Sequence, residues 1–245
     1  MQPDTRQARI AGALYLVIAL FGGFSIGYVP SVIVEAADPA ATAANLAANM
    51  GLFHAGILAD IVVILVEVVL TALLFVLFAP VSTALSLTAA LARLSMVVIM
   101  AVILLFNVAP MFLLDGAGAF SGVDPAVLET VAYGFFLAHD MGTYVWQLFF
   151  ALHLLALGYM IVRSHLVPPV LGWMMLVGSF GYALQAIAKL TATQNAALDL
   201  AIIGLLTLVT LGELAFALYL LFRGVRAEAR ATGRDVPVQP ATLAS

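Results

Sequence analysis

The sequence contains no cysteine and very little charge, and each absence excludes a class of protein. Without cysteine there is no disulfide, thiolate metal site, iron–sulfur cluster, lipoprotein anchor or cysteine nucleophile. Charged residues make up 9% of the 245 residues, whereas soluble globular proteins contain about 25%. A water-soluble fold is therefore excluded.

Several functional motifs are absent as well. The sequence has no glycine-rich phosphate loop, no HExxH and no GxSxG, so nucleotide hydrolysis and the common hydrolase mechanisms have no support. Its 9 lysine and arginine residues are scattered or lie at the edges of apolar segments. Because they form no basic stripe, we expect no nucleic-acid partner.

Hydrophobic residues make up 64% of the sequence, and its mean hydropathy is +1.16. A helix needs about 20 apolar residues to cross a hydrocarbon layer of about 30 Å. Six such windows are present, at residues 10–29, 52–78, 82–106, 144–162, 170–190 and 198–222. The sequence therefore predicts an all-α, polytopic transmembrane bundle of six helices. A seventh crossing at residues 127–138 is the alternative, but this stretch is short for a span.

The first window follows two arginines and resembles a secretory signal peptide. Its apolar run is too long for that, because signal h-regions span about 7 to 15 residues. We therefore expect it to be retained as a membrane helix.

The distribution of arginine predicts the orientation of the bundle. With six spans, one side of the membrane carries almost all of these residues, namely Arg6, Arg9, Arg163, Arg223, Arg226, Arg230 and Arg234. Cytoplasmic flanks accumulate lysine and arginine. We therefore expect both termini to be cytoplasmic, in the cytoplasmic (inner) membrane of a bacterium.

The chain is expected to form one transmembrane domain over residues 1–226, followed by a disordered cytoplasmic tail over residues 227–245. Two outer connections begin with Asp-Pro, at Asp38 and at Asp124. Aspartate suits a helix N-cap and proline the first helical position. The sequence thus predicts short interfacial helices on the outer side.

Two pairs of glycines predict close helix packing. Gly23 and Gly27 form a GxxxG pair, and Gly178 with Gly181 gives a similar flat patch. Small residues of this kind let membrane helices approach one another closely.

Charged residues inside membrane spans are costly and usually face the bundle interior. Glu67 lies thirteen positions before Pro80, where the second and third spans turn, and Arg93 lies thirteen after it. At 1.5 Å per residue, both lie about 20 Å from the turn. The two side chains are therefore predicted partners in a salt bridge near the middle of the membrane.

Two further polar residues fall at a similar depth. His153 lies ten positions before Arg163, and Glu213 lies ten before Arg223. We expect them to join Glu67 and Arg93 in one catalytic group, in which one carboxyl is neutral because of desolvation and like-charge repulsion. The alternative is that the ion pair only neutralises itself and fixes the helix register.

A second polar layer is predicted nearer the outer face. Asp60, one heptad before Glu67, matches Lys189 in depth. The predicted ligand-binding residues are Asp60, Lys189, Gln185, Trp146, Phe149, Phe150 and Tyr144. His54 and His139 are predicted at a similar depth in the membrane, but two histidines are a weak signal for a metal or a haem site. We therefore expect no metal and no cofactor.

Three stretches of sequence carry a resemblance to a known family: GLFHAGILADIVVILVEVVLTALLFVLFAPV (51–81), ALARLSMVV (90–98) and LFFALHLLALGYMIVRSHLVPPVLGWMMLVGSFGY (148–182). Together they resemble the DUF4386 family of bacterial integral membrane proteins. The resemblance implies a six-helix membrane protein and supplies no substrate or reaction.

The residues favour a buried polar site that binds a small lipophilic, terpenoid-like molecule and acts on it by proton transfer. A carboxyl kept neutral in an apolar cavity is a competent general acid, so a metal-independent isomerase or cyclase within the membrane fits. The alternatives are a proton-coupled transporter or permeation protein and a non-catalytic accessory subunit. Membrane lipid is the expected surrounding partner in each case.

Overall fold

The computed structural model describes residues 4–115, 118–164 and 166–225. Its α-helices are α1 (Thr5–Gly22), α2 (Val29–Ile33), α3 (Pro39–Ala48), α4 (Met50–Phe78), α5 (Thr83–Leu114), α6 (Pro125–Ser164), α7 (Pro169–Leu190) and α8 (Ala196–Arg223). A π-helical segment, Gly23–Tyr28, joins α1 to α2, and a 3₁₀ turn, Gly118–Phe120, precedes α6. The predicted tail, residues 227–245, lies outside the described residues.

Six continuous helical spans within the described residues are long and apolar enough to cross a membrane. They are Thr5–Ile33, Met50–Phe78, Thr83–Leu114, Pro125–Ser164, Pro169–Leu190 and Ala196–Arg223. The predicted all-α bundle of six spanning helices is therefore confirmed. No strand occurs in this part of the chain.

The two predicted short helices have different outcomes. Asp38 caps α3 by accepting a hydrogen bond from the Ala41 N–H at 2.9 Å, and α3 is a separate ten-residue helix. Asp124 accepts likewise from the Ala126 N–H at 3.0 Å, but α6 continues without a break for 40 residues. The prediction of a separate second helix is wrong, because no proline interrupts the sequence between Pro125 and Ser164.

The first span changes its helical geometry before its end. Within Gly23–Tyr28 the hydrogen bonds widen to the π pattern, so the Val29 N–H donates to the Phe24 carbonyl. Pro30 follows and has no N–H to donate. Gly23 and Gly27 have open space where a Cβ would lie. Their predicted role in close packing is therefore wrong.

Other glycines do allow close packing. A Cβ at Gly178 would lie 2.6 Å from the Val209 side chain, and one at Gly181 would lie 2.9 Å from the Leu206 backbone. Helices α7 and α8 therefore approach along this patch, as the sequence predicted. At the other end of α8, a Cβ at Gly12 would overlap the Leu221 backbone.

The bundle closes on itself through α1. From α4 to α8, each helix packs against the next one in the chain. Helix α1 packs against both α4 and α8 and lies between them. The Arg9 guanidinium donates to the Phe222 carbonyl at 3.5 Å, so the start of α1 and the end of α8 lie side by side. We refer to this side of the bundle as the terminal side and to the opposite one as the far side.

Candidate functional site

Glu67 and Arg93 form a salt bridge in the interior, as their equal spacing from Pro80 predicted. The Arg93 Nε–H donates to Glu67 Oε2, and the two side chains are 1% and 4% exposed. This is the only ion pair among the described residues. A charge pair this deeply buried requires further hydrogen bonds to offset its desolvation.

Those hydrogen bonds come from α1 and α6. Arg93 Nη1 donates to the Tyr15 hydroxyl at 3.0 Å and lies 2.9 Å from His153 Nε2. The guanidinium also lies 4.9 Å from the Tyr15 ring centroid and 5.6 Å from that of Phe150. Arg93 thus connects three other helices through one side chain.

The same contacts determine the tautomer of His153. A guanidinium has no acceptor, so Nε2 must be the unprotonated nitrogen. The other ring nitrogen, Nδ1, lies 2.9 Å from the Ala89 carbonyl and must carry the hydrogen. His153 is therefore a neutral acceptor that holds Arg93 in place.

A cavity of about 300 Å³ lies beside the ion pair, between α1 and α8. We call it the central cavity. Its polar lining consists of Tyr15, Glu67, Arg93, Tyr182, Thr210 and Glu213. No hydrogen bond from the Glu213 carboxyl to any described residue is present. Because an ionised carboxyl there would have no cation of its own, its charge must be balanced by a proton or by a ligand.

The remaining wall is apolar, with aliphatic side chains beside a group of two aromatic and two methionine side chains. Trp146 packs edge-on against Phe150 at 6.0 Å between centroids, and Phe150 packs edge-on against Tyr182 at 5.1 Å. Met96 and Met100 line the same wall. The cavity therefore presents a few polar groups within a large apolar surface, which is typical of small-molecule sites.

The central cavity opens sideways between α1 and α8. On the terminal side the two helices touch at Gly12, but toward the far side their cavity-lining residues are exposed. These residues are Ala19 of α1, Ile26 of the π-helical segment, and Thr210 and Leu214 of α8. All of them lie within spanning helices, so the opening faces the hydrocarbon region of a bilayer.

A second cavity, of about 210 Å³, lies nearer the far side. We call it the outer chamber. Its polar lining consists of Ser25, Asp60, Asn107, His139, Asp140 and Thr143. A narrow neck of about 10 Å³ lies between the two cavities and is lined by residues of both, including Asp60 and Trp146.

Several predicted site residues do not line either cavity. His153 lies behind Arg93, and Phe149 is 37% exposed on the outside of α6. Tyr144, Gln185 and Lys189 also lie outside both linings.

Asp60 and Lys189, which the sequence places at one depth, do not face a common site. Lys189 is exposed, and its charge acts on Asp140. Asp60 is buried and faces the outer chamber. Lys189 therefore lies on the outer face of α7 and does not join Asp60 in the second polar layer.

A family model described as a domain of unknown function, DUF4386, matches residues 10–224. The chain belongs to the DUF4386 family. No curated protein and no solved structure matches it. In this DUF4386 member, every residue that lines the central cavity, from Tyr15 to Ala217, falls within the matched range.

Tyr15 and Tyr182 are cavity residues of this DUF4386 protein that sequence reasoning missed. Both are tyrosines in the middle of apolar spans, and that position was the available signal. A buried tyrosine hydroxyl usually has a polar partner, and for Tyr15 this partner is Arg93.

The histidines do not form a metal centre in the described part of this DUF4386 protein. No group of three or more His, Cys, Asp or Glu side chains there is arranged to hold a metal ion. His54 is exposed on α4, whereas His139 lines the outer chamber. The two therefore do not face a common site.

Proposed function

We propose that this DUF4386 protein takes up a small lipophilic molecule from the bilayer into the central cavity, where Glu213 exchanges a proton with it. The observation that carries the proposal is the sideways opening between α1 and α8, which joins a polar, charged interior to the hydrocarbon region. A water-soluble substrate would gain nothing from such an opening, because it would have to cross lipid first.

The polar groups of the cavity suit a ligand with one hydrogen-bonding end. Arg93 donates through Nε to Glu67 and through Nη1 to Tyr15 and His153. None of these bonds uses Nη2, which leaves its two N–H groups for a carbonyl or hydroxyl oxygen of the ligand. The apolar remainder of the ligand would pack against Trp146 and Phe150.

The chemistry is an isomerisation or cyclisation by proton transfer. Glu213, in its protonated form, donates its proton to a double bond or carbonyl of the ligand. The resulting Glu213 carboxylate then removes a proton from a neighbouring carbon, which regenerates the protonated side chain. The two transfers balance, so the reaction needs no metal and no second reactant. The aromatic wall shields a cationic intermediate from water.

Proton-coupled transport is the second candidate, and the outer chamber is the observation that favours it. The chamber and its neck form a line of polar groups from the far side to the central cavity. Toward the terminal side, buried apolar side chains fill the interior, among them Leu74, Phe78, Leu157, Phe216 and Leu220. Transport would require this packed region to open, whereas catalysis would not.

The test uses two substitutions one residue apart on α1. Ala19 lines the opening, so Ala19→Phe places a ring in it, whereas Leu20 is 71% exposed outside the cavity and Leu20→Phe is the matched control. Each protein is purified in nanodiscs with its native lipid, and bound small molecules are extracted and analysed by mass spectrometry. We expect a lipophilic compound with wild type and with Leu20→Phe, and at least about tenfold less with Ala19→Phe.

Equal amounts of the compound in both variants would contradict ligand binding in the central cavity. Incubation of the compound with wild type and with Glu213→Gln then separates the two functions. Conversion of the compound by wild type but not by Glu213→Gln supports an isomerase or cyclase. Movement of the unchanged compound across proteoliposomes, coupled to proton uptake, supports the transporter.

A further inference from the structure

The outer chamber contains buried polar groups that the rest of the fold leaves without partners. The Ser25 hydroxyl is buried and has no hydrogen-bond partner. The acceptor that it interacts with is the Asp60 carboxyl, which lies beside it but outside the geometry of a full hydrogen bond. A ligand that places a hydrogen-bond donor or acceptor between the two side chains would therefore complete their hydrogen bonding.

The position of Ser25 results from the π-helical segment. Residues 23–28 form this segment in the first span, and single π turns in α-helices are frequent at functional sites. Ser25 is buried in this segment, whereas Phe24 is half-buried and Ile26 is 40% exposed. The local geometry therefore presents a hydroxyl to the chamber rather than to lipid.

An ionised Asp60 carboxylate would find no lysine or arginine among the described residues of the outer chamber to balance its charge. Asp60 is 9% exposed, and no lysine or arginine is present among the described residues that line the chamber. Lys189 acts on Asp140 at the rim. His139 also lines the chamber but forms no ion pair with Asp60 within 4 Å among the described side chains. Asp60 is thus the acidic group for which the structure supplies no cation.

The rest of the lining is apolar and aromatic. Phe53 and Phe136 pack edge-on, with centroids 5.9 Å apart, and both line the chamber together with Val29 and Ile33. Aromatic rings beside a carboxyl favour an ammonium group on a hydrocarbon body, because the rings attract the cation and pack against the hydrocarbon. A bare metal ion would instead need several oxygen or nitrogen ligands.

We propose that the outer chamber is a binding site for a small organic ammonium ion, with Asp60 as its counter-ion and Ser25 as a hydrogen-bonding partner. Its volume of about 210 Å³ suits a compact amine. The neck, at about 10 Å³, admits roughly one water and no such ligand. The site is therefore separate from the central cavity.

The experiment uses tryptophan fluorescence. The sequence has two tryptophans: Trp146 lines the neck beside Asp60, whereas Trp173 is 54% exposed on α7. In the Trp173→Phe protein, Trp146 is therefore the only reporter. This protein in nanodiscs is titrated with n-butylammonium, with 1-butanol as the uncharged control and with Na⁺ and K⁺ at matched ionic strength.

We expect saturable binding of n-butylammonium and at least tenfold weaker binding of 1-butanol, Na⁺ and K⁺. Asp60→Asn should weaken ammonium binding at least about tenfold, because it removes the counter-ion. Ser25→Ala should weaken it about two- to tenfold through loss of one hydrogen bond, and it provides the test if Asp60→Asn does not fold. Glu213→Gln, in the central cavity, should leave binding unchanged.

Four results would overturn the proposal. Equal binding of 1-butanol would show an apolar pocket only, and equal binding of Na⁺ or K⁺ would show a site for inorganic ions. Binding lost in Glu213→Gln but kept in Asp60→Asn and Ser25→Ala would place the ammonium ion in the central cavity. If the folded Trp173→Phe protein shows no saturable change in fluorescence with n-butylammonium, the site is excluded.

Discussion

Arg93 is the residue on which the polar contacts of the interior converge. It is 1% exposed and bonds to Glu67, Tyr15 and His153. Removing one partner of a buried pair leaves an uncompensated charge, so we expect Glu67→Gln and Arg93→Met each to lower the free energy of unfolding by about 3–5 kcal/mol. The double variant should lose less than the sum of the two. Equilibrium unfolding in bicelles measures all three.

Arg163→Met is the matched control for these arginine and glutamate variants. Arg163 is exposed, and its contact is with the Tyr159 ring at 6.0 Å. Its replacement should lower the free energy of unfolding by less than about 1 kcal/mol. If the double variant loses as much free energy of unfolding as the two single variants together, Glu67 and Arg93 do not stabilise one another, contrary to the structure.

The polar residues also show what a sequence can predict about a membrane interior. Equal spacing from Pro80 was enough to pair Glu67 with Arg93, because a short hairpin fixes both depth and neighbourhood. Lys189 was matched to Asp60 in depth, but its helix α7 is not joined to α4 by a short turn, and the side chain is exposed. Depth along a helix follows from counting residues, whereas rotation about its axis depends on packing that no single sequence reveals.

At the scale of helices, α6 and α7 approach so closely that only glycine fits between them. A Cβ at Gly158 would lie 2.7 Å from the Gly172 carbonyl oxygen and 2.8 Å from the Leu176 nitrogen. Because both atoms are backbone, they cannot move aside cheaply. We expect Gly158→Ala to lower the free energy of unfolding by about 1–3 kcal/mol through overpacking, measured as for the ion pair.

Gly204 provides the control for this substitution. It also lies inside a spanning helix, but a Cβ there meets nothing within 4 Å. Gly204→Ala should leave the free energy of unfolding unchanged or raise it by up to about 1 kcal/mol, because alanine favours the helix. Equal losses at Gly158 and Gly204 would show that helix packing is not what distinguishes the two positions.

The helices themselves were easier to predict than their boundaries. All six apolar windows became spans, because the hydrocarbon thickness fixes a minimum length. Residues 127–138 were treated as a connection but form the outer part of α6, since a membrane helix continues beyond the hydrocarbon where nothing stops it. The π-helical segment at Gly23 carries no signal in a hydropathy pattern and was missed.

For the molecule as a whole, the open question of greatest consequence is which side of the membrane the termini occupy. Six spans place both termini on one side, and the contact between Arg9 and Phe222 agrees with this. We predict that the terminal side is cytoplasmic, because the arginine residues flanking the spans concentrate there. The absence of cysteine allows a direct test, since any introduced cysteine is the only thiol in the protein.

The test compares Thr83→Cys, at the terminal-side start of α5, with Gln194→Cys, in the far-side connection before α8; both positions are exposed. In intact bacterial cells, a membrane-impermeant maleimide should label Gln194→Cys and leave Thr83→Cys unlabelled until the membrane is broken. The reverse pattern would place the termini outside the cytoplasm. The outer chamber, which lies toward the far side, would then face the cytoplasm, and its ammonium ligand would come from within the cell.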